Sequence, residues 1–147
     1  MSDAPEPPAP DTDRIGYFDH DADIGVIGRG ATPEAALAAA AAAAFALMCE
    51  PSQVQPLERV DVAFREPDME LALVIWINTL LAIARDRGLA LGRFRLSREG
   101  DCWRGAAWGE PWREKHERGV EVKGATLTCL KVRPHDERWE ARCVVDV

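Results

Sequence analysis

The sequence predicts an α+β fold, a compact sandwich of two helices packed on a mostly antiparallel β-sheet. Two long apolar helical patterns lie before residue 90. Strand patterns run almost without a break from residue 94 to the end, and no regular strand–helix–strand alternation links the two halves. A chain of 147 residues fits one domain. With 47% hydrophobic and 29% charged residues, it has the makeup of an ordinary globular protein.

The elements follow in order. Residues 1–14, MSDAPEPPAPDTDR, combine proline and acid with few apolar side chains, which predicts a disordered tail ahead of a single domain over 15–147. Residues 15–28 read as one strand or two short ones around an acidic cluster. Thr32 is a good N-cap, Pro33 a good first helical residue, and Glu34 sits well at the positive helix end. The alanine run that follows has the highest helix propensity available, and Pro51 stops it. Alanine allows close packing on a sheet, with Leu37, Phe45, Leu47 and Met48 supplying bulk.

Residues 58–65 alternate, Val60, Val62 and Phe64 against Arg59, Asp61 and Arg65, as a half-buried strand does. A second helix is predicted from Asp68 to Arg87, with Gly88 just past its end. It is apolar nearly all round, but Asn78 interrupts it and the run is shorter than the ~20 residues a membrane span needs. Strands are predicted at RFRLS, CWRGAAW, VEVKGATLTCLKV and RWEARCVVDV. In the last, Trp139, Ala141, Cys143, Val145 and Val147 share one face.

Eighteen basic against 25 acidic residues leave a net charge of -7, which argues against strong direct nucleic-acid binding. Cys49, Cys102, Cys129 and Cys143 show no CxxC or zinc-like spacing, and the chain opens without a basic start and apolar run. The expectation is four reduced, mostly buried thiols in a cytoplasmic protein with no membrane association.

The segment FDHDADIGVIGRG places Asp19, His20, Asp21 and Asp23 within five positions. As an EF-hand it fails, because Ile24 and Gly30 stand where the loop needs Gly and Glu. A catalytic His20–Asp23 pair lacks a recognisable nucleophile motif, although a metal-dependent hydrolase using His20 and the Asp cluster stays open as an alternative. A third reading is an oxygen-rich metal site. Asp19, Asp21 and Asp23 share a face if the strand is regular, and Asp146 with Val147 at the other end supplies further oxygens. Such a donor set suits Ca²⁺, Mg²⁺ or Mn²⁺. Sequence pattern alone does not bring the two ends together.

Several ordered motifs resemble the archease family, small proteins that activate RtcB-type RNA ligases. They are FDHDADIG, G-x-T-x-E-A-A-L at 30–37, W-I-N at 76–78, W-G-E at 108–110, K-H at 115–116, G-x-E-V-K-G-x-T at 119–126 and the final V-V-D-V. The resemblance implies an α+β sandwich. It also implies a divalent cation, usually calcium, on Asp23, Asp146 and Val147, with Asp19 and His20 in support. The family has no reaction of its own. It promotes GTP-dependent guanylylation of the ligase histidine and its repeated turnover in tRNA splicing or RNA repair. Asp21 stands where the family commonly has Thr, and Gly124 where Ala is usual.

Glu110, His116 and Lys123 match family positions and read either as a docking surface or as a solvated charged loop. Trp103 and Trp108 are expected in the core, and Trp112, among charges, as an exposed contact.

Overall fold

The computed structural model describes residues 6–8 and 14–147. The tail expected over 1–14 otherwise lies outside the described residues. Element order is β1 (Ile15–His20), β2 (Asp23–Gly30), α1 (Pro33–Ala46), a 3-10 turn (Pro51–Gln53), β3 (Glu58–Arg65), α2 (Met69–Arg87), β4 (Leu89–Glu99), β5 (Cys102–Pro111), β6 (Gly124–Ala125), β7 (Lys131–His135) and β8 (Arg138–Asp146). The fold is α+β and all its strand pairs are antiparallel. The strands divide between two sheets. One runs β1-β2-β8, with β6 and β7 sharing the far edge of β8; the other is β3-β5-β4.

The alanine run explains the division. Ten successive residues of α1, 36–45, are buried, so the helix is covered on every side. It packs on β2 and β8 of one sheet and on β4 of the other. A helix held between two sheets needs small side chains all round, and alanine also keeps its intrinsic propensity high. The strand beneath is correspondingly bare. A Cβ on Gly28 of β2 would overlap the α1 backbone at Ala36, Ala39 and Ala40. Thr32 caps the helix by accepting from the Ala35 N–H at 3.1 Å, and Pro33 opens it.

Helix α2 begins and ends where its sequence signals lie. The Asp68 carboxylate accepts from the N–H groups of Glu70 and Leu71, and Gly88 takes φ 67°, a left-handed turn that glycine adopts freely. Its buried side is one stripe, including Leu73, Trp76, Ile77 and Leu80, while Leu71 is exposed. Trp76 links the layers: its indole N–H donates to the Leu37 carbonyl at 3.2 Å, and its ring fills the space a Gly105 side chain would need.

The segment VEVKGATLTCLKV departs most from expectation. It forms only the two-residue β6 and the start of β7. Between them the chain bulges outward. The Thr126 N–H and hydroxyl both donate to the Val144 carbonyl, Thr128 accepts from the Val144 N–H, and Cys129 takes φ 55°. The cysteines also divide: Cys49 and Cys143 are buried, whereas Cys102 and Cys129 are exposed, and all four are free. Burial pushes the Cys143 thiol up to about 12, so it is inert. Trp103 is buried in the core as expected, whereas Trp108, although buried, lies outside the main core cluster in a row with Arg59 and Arg93.

Two glycines give opposite predictions. Gly28→Ala forces α1 off β2 and is expected to cost about 1–3 kcal/mol. Thermal unfolding followed by circular dichroism should show the drop in Tm. At Gly124 a Cβ would sit 3.4 Å from the Asn78 side-chain oxygen, an ordinary contact. Gly124→Ala should therefore raise stability by about 0.4–1 kcal/mol through the unfolded chain, read as a higher denaturation midpoint at unchanged slope.

Candidate functional site

The acidic cluster lies on a hairpin. Strands β1 and β2 pair with His20 opposite Asp23, leaving Asp21 and Ala22 as a two-residue turn. Asp21 takes φ 52°, a left-handed conformation that Asp tolerates. The turn breaks the regular alternation and redistributes the acids. Tyr17, whose hydroxyl donates to the Ala43 carbonyl of α1, marks the helix-facing side of β1, and Asp19 shares that side. Asp23 and His20 project to the outer face, and Asp21 stands exposed at the tip. The three acids therefore do not share a face. The His20 ring comes nearest to Asp21, at 3.9 Å, beyond hydrogen-bond reach.

The two ends of the domain meet here. In the β2–β8 ladder Ile24 lies opposite Val145, so one step further Asp23 lies opposite Asp146. Directly opposed residues project to the same face, with Cβ atoms within about 5 Å. The Val147 N–H donates to a carboxylate oxygen of Asp23 at 3.2 Å, across 124 positions of sequence. On the other edge of β8, Gly124 pairs with Asp146, and the Lys123 N–H donates to the Asp146 carbonyl at 2.8 Å. Asn78 of α2 holds this edge with both ends of its amide, accepting from the Ala125 N–H at 2.7 Å and donating to the Ala125 carbonyl at 3.2 Å. That positioning role was not read from the sequence. Its signal is a lone amide inside the apolar run LVIWINTLL.

Asp23 is half-buried and Asp146 exposed. Among the described residues, neither carboxylate belongs to an ion pair. No group of three His, Cys, Asp or Glu side chains able to hold a metal occurs among them either. A cation at this end would need a main-chain oxygen of Val147 beside the two Asp carboxylates. That all-oxygen set fits a hard ion and not zinc.

Glu110 and His116 lie elsewhere, on the β5 side of the molecule, and are buried at 1% and 5% exposure. Glu110 accepts from the Gln55 N–H at 2.6 Å and from Arg113 at 3.2 Å, and Lys115 sits 3.1 Å away. His116 Nδ1 accepts from the Arg113 N–H at 2.9 Å, which leaves Nε2 to donate to Glu110 at 3.2 Å. Burial pushes the Glu110 carboxyl up, but the bonds from Gln55, Lys115, His116 and Arg113 together outweigh it and hold the group at about 2. These residues pin the loop after β5 instead of lining a surface. Lys123 is exposed beside Asp146. Trp112 is half-buried against Cys49, Val54 and Ala90, with the Arg118 guanidinium 4.0 Å above its ring. It is thus less available than its charged neighbours suggest.

A carboxyl depressed in the folded state stabilises above its unfolded pKa and loses that contribution as pH falls toward its folded pKa. Glu110→Gln should therefore destabilise by roughly 1.5–3 kcal/mol at neutral pH. The gap between variant and parent should close as pH falls from the ordinary carboxylate range toward 2, as urea unfolding across that range would show.

The chain matches the model of the Archease protein family (MTH1598/TM1083) over residues 16–147. It is 34% identical over 137 residues to the protein archease of Sulfolobus acidocaldarius, covering 91% of this chain and 99% of that one. It is also 34% identical over 137 residues to the protein archease of Pyrococcus furiosus, covering 89% and 96%. Among solved structures, the solution structure of Methanobacterium thermoautotrophicum protein 1598 superposes with a TM-score of 0.76 at 28% identity, covering 91% of this chain and 99% of that chain. A Thermotoga maritima archease, described as a possible chaperone, shares the fold with a TM-score of 0.57 at 21% identity, covering 88% and 94%. Matched over 16–147 and a third identical to these relatives along nearly its whole length, this chain belongs to the archease family.

Proposed function

We propose that this archease is a non-enzymatic, metal-binding activator of an RtcB-type RNA ligase, promoting the ligase's GTP-dependent guanylylation and turnover in tRNA splicing or RNA repair. The observation that supports this reading most directly is the Val147 N–H bonded to Asp23, with Asp146 alongside. Asp23, Asp146 and a main-chain oxygen of Val147 would hold the cation, with Ca²⁺ the first choice and Mg²⁺ or Mn²⁺ as alternatives. When bound, the ion supplies a hard positive charge beside an otherwise acidic edge, to which phosphate oxygens or carboxylates of a partner can be drawn.

The chain's own residues do the rest. Asp23 uses one oxygen to accept from the Val147 N–H, which holds that backbone beside the two carboxylates. Asn78 fixes β6, and β6 fixes the backbone of Asp146. Such support from neighbouring elements keeps a first ring of ligands in place. The net charge of -7 favours association with a basic partner surface, faster at low salt. The hydrolase alternative gains nothing from the geometry: among the described residues the His20 ring has no hydrogen bond that would orient it as a base. No described helix is long and apolar enough to cross a membrane.

Asp23→Ala and Asp146→Ala should each weaken Ca²⁺ binding at least tenfold by calorimetry, about 1.4 kcal/mol. Each should also abolish stimulation of ligase guanylylation in a single-turnover assay, with the circular dichroism spectrum unchanged. Normal stimulation by both variants would reject the metal-site mechanism.

A further inference from the structure

The three-stranded sheet has an outer face, turned away from the helices, that the reading above does not use. The β3–β5–β4 registers define its rows as Arg59, Trp108 and Arg93; then Asp61, Ala106 and Arg95; then Ala63, Arg104 and Ser97. The alternate residues Val60, Val62, Trp103, Ala107, Phe94 and Leu96 belong to the core cluster, which fixes the facing. Trp108 and Ala106 are only 5% and 7% exposed, yet neither belongs to that core. Arginines at 59, 93, 95 and 104 outnumber Asp61, the single acid in these rows, which pairs with Arg59 at 3.2 Å. Among the described residues, the buried Arg93 Nε has no hydrogen-bond partner and stands as an unfilled donor beside Trp108.

Residues 6–8 reach this face. Arg95 Nη2 donates to the Glu6 carbonyl at 3.4 Å, across 89 positions of sequence, and Pro7 and Pro8 are half-buried. Two successive prolines restrict the backbone to extended, polyproline-like conformations, so docking them loses little entropy. Grooves that combine an aromatic side chain with polar donors are the usual receivers of such segments. The charges are complementary, because Asp3, Glu6, Asp11 and Asp13 stand in the same stretch of sequence as the prolines.

We propose that the outer face of the β3-β5-β4 sheet is a docking site for an acidic, proline-rich segment, and that its occupant is this chain's own N-terminal stretch around residues 6–8. The segment binds in cis across this face, the Glu6 carbonyl accepting from Arg95 and the two prolines lying half-buried beside it. The site lies on the opposite sheet from Asp23 and Asp146, so it stands or falls separately from the metal reading.

The test uses the full chain carrying Cys102→Ser and Cys129→Ser, with a nitroxide on Ala4→Cys. In nitrogen-15 spectra the amides of Arg93, Arg95 and Ala106 and the indole of Trp108 should lose more than half their intensity. The amides of Asp23 and Asp146 should keep theirs. Arg93→Glu combined with Arg95→Glu should restore the lost signals at least twofold, with the Trp76 and Trp103 indoles unmoved as proof of folding. If those indoles move, the neutral Arg95→Gln variant replaces the double reversal and should give a smaller recovery. Equal losses on both sheets, or losses that no arginine variant relieves, would overturn the proposal. So would losses in an isotope-labelled chain without the nitroxide mixed with unlabelled nitroxide-bearing chain, since the segment would then belong to a second copy.

Discussion

Everything at the acidic end depends on the antiparallel ladder between β2 and β8. It joins residues 23–30 to residues near the end of the chain, and it forms the surface on which α1 lies. Its register is tightly specified. A slip of one residue would turn Val26, Cys143 and Val145 outward and bring Arg29 and Arg142 against the helix. Gly28 is a second lock, because a side chain there would overlap the α1 backbone where it settles onto the strand. The core therefore selects the alignment that places Asp23 opposite Asp146. The acidic edge is a consequence of how the interior packs.

Two buried or half-buried carboxylate problems receive different solutions. Glu110 is withdrawn from water and surrounded by donors from Gln55, Arg113, Lys115 and His116, so its charge is fully accounted for within the protein. That arrangement fixes a loop and leaves little for a partner to engage. Among the described residues, Asp23 has one donor, the Val147 N–H, and a second acid follows at the same end of the ladder. Like charges so placed destabilise a sheet unless solvent or a cation screens them. The difference separates a carboxylate enclosed by donors from one left half-open, and residue pattern without the family resemblance offered no basis for distinguishing the two.

What the sequence revealed was whatever is local. Thr32, Asp68 and Gly88 mark helix ends through bonds made within four residues, and the alternation of residues 58–65 needs only its own period. The hairpin turn at Asp21 was less legible, since Asp and Ala are weak turn formers beside Asn-Gly. The brevity of β6 and β7 was not legible either. Their sequence is β-prone throughout, and the bulge arises because Val144 takes both its bonds from Thr126 and Thr128. The division into two sheets left a trace in the composition. A helix of alanine on all sides has no solvent face, and a single sheet would leave half of it exposed. The family resemblance named Asp23, Asp146 and Val147 together; nothing in their spacing did, because contact across 124 positions is a property of topology.

The clamp by Asn78 shows how far the support of the acidic edge extends. A half-buried amide is costly unless both its oxygen and its nitrogen are satisfied. Here both bonds go to one residue, Ala125, whose backbone lies in a strand only two residues long. So short a strand gains little from its own ladder, and the helix supplies the missing fixation. Removing it would free the edge that meets Asp146 without touching either carboxylate. The position of Asp146 is thus set from both sides, by β2 through the ladder and by α2 through the amide. The backbone of Asp146 is held between two strands while its carboxylate stands exposed at the edge.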